Sequence, residues 1–303
     1  MAFLMHLSFD NRRRLQRNSY LFEYKGVRFK LVQNNPRRWP DHLLTIVPKA
    51  GSPDSDVAFS VASEFLSALA WESGGPVAVW DSGGCGWPEG RSLRRARPRI
   101  FSLSRIAFPG NIGGYGLTQI PHVKTQEQRI ALALFREARA SNNDYLSFLF
   151  FWQVLDVGGG KPEAFVDEVF GDPHHHLKVN RSDIDSLPLG DRKLGRYLCD
   201  DCRDAIAHIR RFPGRRKLDL DKAEERCRLA TSVRVVEGFA EYYIRNALCL
   251  SDKLHLLRPR GGGFPRFVNP STALPWEFVL AYPPAPPTLP RGPRPASRKR
   301  RQG

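Results

Sequence analysis

Three side chains within six positions, Arg203, Asp204 and His208, are of the types that phosphate chemistry uses. A guanidinium offers forked donors to phosphate oxygens, an imidazole moves protons near neutral pH, and a carboxylate orients either of them. Asp204 and His208 stand four apart, which makes them neighbours on one helix face, and the long side chain of Arg203 reaches the same place. Spacing alone says little, because Arg37 and His42 repeat it around Pro40, where a helix interior is ruled out. Context separates the two. Arg203 lies in Tyr197–Arg211, whose Leu198, Ala205, Ile206 and Ile209 fall at helical spacing.

Other residues are weaker candidates. Arg37 and Arg38, with Arg94, Arg95 and Arg97, are basic residues close in sequence to Trp39 and Trp87, a mixture suited to single-stranded nucleic acid. The competing reading is a solvated arginine-rich surface. Cys199 and Cys202 have Cys-x-x-Cys spacing without a second pair, so no metal site is expected. The run His174–His176 beside Asp172 and Pro173 reads as an exposed loop. Gly110–Gly116 lacks the Gly-Lys-Ser/Thr ending of a phosphate-binding loop and reads as a linker. No Ser/His/Asp arrangement stands out, and no cofactor is expected.

The elements that must position these residues form an α+β fold in three parts. Residues 1–120 read as a small α+β domain. Tyr20–Val32 alternates around Lys25-Gly26 as a hairpin, and His42–Val47 is a strand. Asp54 and Asp56 open a helix running to Trp71, and Pro76–Trp80 and Arg99–Leu103 read as further strands. Residues 121–257 read as an all-α bundle. Thr125 and Gln128 have capping-box spacing ahead of a helix to Ala140. Asp144 is expected to cap a nearly all-apolar helix, Tyr145–Asp156, which Gly158–Gly160 ends. A short amphipathic piece, the Tyr197–Arg211 helix and a long helix from about Asp221 to Leu250 complete the bundle. Residues 258–303, basic and with eleven prolines, read as a mostly disordered tail.

Charge is unevenly distributed. Residues 121–257 carry 22 Lys+Arg against 21 Asp+Glu, and the remainder carries 25 against 10. Basic flanks around a neutral middle favour polyanionic partners such as RNA, DNA or acidic lipid surfaces, and the competing reading is solubility plus a basic tail of no consequence. No apolar run reaches the eighteen or so residues of a membrane span. Met1–Leu7 is too short for a signal-peptide core, so a cytoplasmic location is expected. Five scattered cysteines (Cys85, Cys199, Cys202, Cys227 and Cys249) fit a reducing compartment better than a disulfide framework.

From about Gln128 to Leu250 the chain resembles a HEPN (Apea-like) helical domain. The resemblance rests on the Leu134-Phe135-Arg136-Glu137-Ala138 helix, the Phe148–Trp152 helix and Arg203-Asp204-(Ala-Ile-Ala)-His208. It implies a homodimer and a metal-independent endoribonuclease. In that activity His208 handles the 2′-hydroxyl proton, Arg203 stabilises phosphate charge and Asp204 orients the site. The whole chain, including Asn34–Pro40, also resembles the methylamine-utilisation protein J family of bacterial methylamine-degradation clusters. That resemblance implies an accessory role in one-carbon metabolism, with partners among the proteins that mature methylamine dehydrogenase. Three functions follow as expectations: an accessory protein binding a protein or nucleic acid, the endoribonuclease, and a nucleic-acid-binding regulator.

Overall fold

The computed structural model describes residues 3–11, 19–32, 41–47, 53–86, 117–207, 219, 221–250 and 253–255. The expected strand at 99–103, the Gly110–Gly116 linker and the tail at 258–303 lie outside the described residues.

Five antiparallel strands make the first layer. They are β1 (Phe3–Asn11), β2 (Ser19–Tyr24), β3 (Val27–Val32), β4 (Asp41–Val47) and β5 (Val77–Gly86), in the order β2-β3-β4-β1-β5. The β2–β3 turn is the expected hairpin: Lys25 and Gly26 both take positive φ, 47° and 76°, the geometry that matches strand twist in a two-residue turn. Tyr24 therefore pairs with Val27 and Phe22 with Phe29. Side chains alternate along each strand, so Leu7, Phe9, Phe22, Tyr24, Phe29, Leu31 and Leu43 are all buried. Helix α1 (Pro53–Ser73) packs against this sheet, with the Phe65 ring stacked on Phe22 at 4.5 Å. Burying a side chain such as Phe65 contributes about 1.5–3 kcal/mol.

Two features of the sheet differ from the sequence reading. Strand β1 was not expected, yet it lies between β4 and β5 and pairs with both. Strand β5 runs past Trp80 through Gly83 and Gly84 to Gly86, because main-chain pairing with β1 replaces the side-chain contacts that glycine lacks.

The second layer is helical. It holds α2 (Gln126–Ala140), α3 (Asp144–Asp156), α4 (Pro162–Gly171), α5 (Arg181–Asp185), α6 (Leu194–Tyr197), a π-helical turn (Leu198–Arg203), α7 (Asp204–Ala207), α8 (Ala223–Tyr242) and a second π-helical turn (Tyr243–Ala247). Thr125 and Gln128 close the expected capping box on α2, and the Gln128 side chain also donates to the Leu248 carbonyl at 2.8 Å. Asn143, one residue earlier than expected, caps α3 through Tyr145 and Leu146 N–H, so Asp144 becomes the first helical residue. Helix α3 packs against both α2 and α8, burying Phe148, Phe151, Trp152, Val154 and Leu155. At Gly159, φ of 72° ends the chain direction of α3 in a conformation costly for other residues.

Two cores result. One gathers residues of the sheet and α1 together with Ile120, and the other gathers the helices together with Trp71 of α1. The exchange is physical. Trp71 meets Phe135 edge-on at 5.1 Å, and Arg245 lies 4.7 Å over the indole. Strand β6 (Gln119–Pro121) pairs with β7 (Lys253–His255), and Lys253 bonds Glu72 at 2.7 Å.

Candidate functional site

The stretch carrying Arg203 and Asp204 is held from both ends and from behind. Gly195 opens it against α4: a Cβ there would meet the Glu163 carbonyl oxygen at 2.1 Å. Its N–H donates to Asp167 at 2.7 Å. Beyond Tyr197 the helix widens, and the Asp204 N–H reaches the Cys199 carbonyl five residues back. Such π turns recur at functional sites because they redirect side chains within a helix. Here Cys199 and Asp204 come to one side, with Asp200.

Behind the turn sits a buried polar network on α8. Arg228 is 9% exposed and pairs with Glu225 at 2.9 Å. It donates to the Tyr197 hydroxyl at 2.8 Å, to Cys202 Sγ at 3.4 Å and to the Asp201 carbonyl at 3.3 Å. Burial opposes its charge, but Cys202, Tyr197 and Glu225 together hold it above the ordinary arginine value. Arg192 adds a bond to the Asp201 carboxylate at 2.6 Å. None of this was anticipated from sequence. The only local signal was the Glu225/Arg228 spacing of three on one helix face.

The outward side holds two ion pairs, Arg196–Asp200 at 2.6 Å and Arg203–Asp204 at 2.7 Å. The Arg203 side chain is 41% exposed and that of Asp204 only 14%, so the carboxylate lies deeper and the guanidinium nearer solvent. The bond to Asp204 raises the affinity of Arg203 for its proton. Cys199 lies between the pairs. Its thiol is pushed up to about 11 by burial, then by the charges of Asp204, Glu163 and Asp200. Ligand atoms of Cys199, Asp200 and Asp204 lie within 4.8 Å of one another, a set able to hold a cation. Both carboxylates already face guanidiniums, which an incoming ion would have to displace.

The raised thiol predicts a reactivity order. At pH 8 about one Cys199 in a thousand is thiolate, so alkylation by iodoacetamide is slow and its rate keeps rising beyond pH 9. Cys227 is exposed and reacts ahead of Cys199. Mass spectrometry of partly alkylated protein reads the order directly, and Cys199 labelled ahead of Cys227 at pH 8 would contradict it.

Of the residues singled out in the sequence, the structure brings Arg203 and Asp204 together. His208, Arg37, Arg38, Arg94, Arg95 and Arg97 lie outside the described residues. The triple-histidine loop is tied down: the Nδ1 of His175 meets the Tyr242 hydroxyl of α8, and its Nε2 faces Asp172 at 3.4 Å. That contact spans 67 residues. No helix among the described residues is long and apolar enough to cross a membrane.

An antiparallel sheet with one covering helix, joined to a helical core that displays ion pairs on a π turn, defines an α+β protein with a helical-bundle core. Residues 131–245, which run from within α2 to the second π turn, match the family model of methylamine utilization protein MauJ. No curated protein and no solved structure matches the chain.

Proposed function

We propose that the protein is an accessory factor of bacterial methylamine utilisation that works by binding a protein or nucleic acid through its helical bundle. The observation that carries this reading is the extent of the family match. It covers the helical core and the Arg203–Asp204 surface while omitting the sheet. Residues 121–257 then form the binding unit and residues 1–120 an appended one, with the basic residues outside the bundle adding attraction for RNA or another polyanion. Proteins of methylamine dehydrogenase maturation are the partners this role implies. Deleting the gene is expected to impair growth on methylamine and to lower the amount of mature amine dehydrogenase. Unchanged growth and unchanged enzyme would sink the proposal.

A second reading rests on the Arg203–Asp204 pair. A HEPN-like bundle, dimerising so that two such surfaces meet, would cleave RNA without metal, with Arg203 on the phosphate and His208 taking the 2′-hydroxyl proton. The assay is cleavage of structured RNA in EDTA, lost in both Arg203→Ala and His208→Ala. Cleavage that survives both substitutions removes the reading. If RNA is bound but not cut, the protein acts as a nucleic-acid-binding regulator, and its affinity falls steeply with salt.

A further inference from the structure

A different site lies where α1 faces α2. Between the helices is a cleft of about 220 Å³, with Phe59, Ile130 and Ala133 supplying its apolar part. Ile130 is 39% exposed, one of three large apolar side chains exposed among the described residues. The cleft also carries charge of both signs, Glu64 from α1 and Arg129 from α2.

The two charges are poised differently. Glu64 is 9% exposed, and its Oε1 receives the Tyr24 hydroxyl at 2.6 Å and Lys25 Nζ at 2.6 Å. The hairpin turn thus fixes this carboxylate, and burial together with Glu64 pushes the Tyr24 hydroxyl well above its usual range, keeping it a donor. Oε2 takes no bond among the described residues and is not sealed from solvent, so it is left to the cleft. The other guanidinium at the cleft, Arg136, is committed to Glu137 at 2.6 Å and to the Ser63 carbonyl at 3.1 Å. Arg129 is exposed and has no ion pair or side-chain hydrogen bond among the described residues.

We propose that this cleft binds a small zwitterion, an α-amino acid with a short branched apolar side chain. Its carboxylate pairs with Arg129, whose planar fork suits that group. Its ammonium meets Oε2 of Glu64, and its side chain covers Phe59 and Ile130. The volume is below the roughly 300–1,000 Å³ of pockets that hold drug-sized ligands, which selects a metabolite-sized one. A ligand with a single charge leaves the opposite pole of the cleft unmatched, so both charged groups of the ligand contribute to selection.

The test is calorimetric titration of the full chain with L-valine, with isovalerate as the carboxylate-only probe and isobutylamine as the amine-only probe. Valine is expected to saturate, and each half-ligand to bind roughly tenfold more weakly or worse. Arg129→Gln, at an exposed position, and Ile130→Trp, which fills the cleft, are each expected to abolish the signal while the melting temperature holds. No saturation with valine overturns the proposal. So does isovalerate binding as tightly as valine, or valine binding retained in Arg129→Gln.

Discussion

Arg228→Met is expected to destabilise the protein by about 3–5 kcal/mol, because it breaks a buried ion pair by removing one member. The side chains of Arg228 and Glu225 are each 7% exposed, and the guanidinium also satisfies the Tyr197 hydroxyl and the Asp201 carbonyl. Removing it takes the buried guanidinium away from Glu225 and withdraws a donor from the back of the π turn. For a unit of this size the melting temperature should fall by about 10 °C. The double variant Arg228→Met/Glu225→Leu separates the pair from its surroundings. Replacing both partners by apolar groups is expected to recover most of the loss. A single variant that melts with the parent would show that the network contributes nothing to the fold. If Arg203 and Asp204 act on a ligand, the single variant should also weaken that function at temperatures where it remains folded.

Phe151→Ala has an expected cost of similar size for a different reason. Phe151 is 1% exposed and meets Phe135 edge-on at 5.3 Å, at the centre of α3. Truncation removes the transfer free energy of a ring and leaves a cavity that helices packed on both sides cannot collapse to fill, about 3–5 kcal/mol. Urea denaturation reads this as a lower midpoint at nearly constant slope. Leu146→Ala, on the same helix but 48% exposed, is the control and should shift stability by no more than about 0.5 kcal/mol. Equal effects at both positions would mean that α3 is not central to the core.

What shows locally in this chain and what does not depends on the range of the forces involved. The Lys25-Gly26 hairpin, the Thr125/Gln128 capping box and the apolar run of α3 were legible because each depends on neighbours within a few residues. Strand β1 was not. Met5, Leu7 and Phe9 do alternate with His6, Ser8 and Asp10, but that short pattern names no partner, and the place of the strand in the sheet comes from pairing with β4 and β5, which arrive 30 and more residues later. The cap of α3 moved by one residue because Asn143 and Asp144 are both competent, and local backbone geometry chose between them.

The site divides in the same way. Arg203 and Asp204 were recognisable as adjacent charges on a helix, and they do pair. The sequence alone determined the α+β class, the neutral helical middle with its basic flanks, and the position of the most chemically dense stretch. Only the tertiary structure decided that this stretch is a π turn, that Arg228 holds it from inside, and that Glu64 and Arg129 share a cleft. A widened turn costs hydrogen-bond geometry that short-range propensity does not favour. It persists because a buried guanidinium from a helix 26 to 31 residues away meets its carbonyl, thiol and phenol groups.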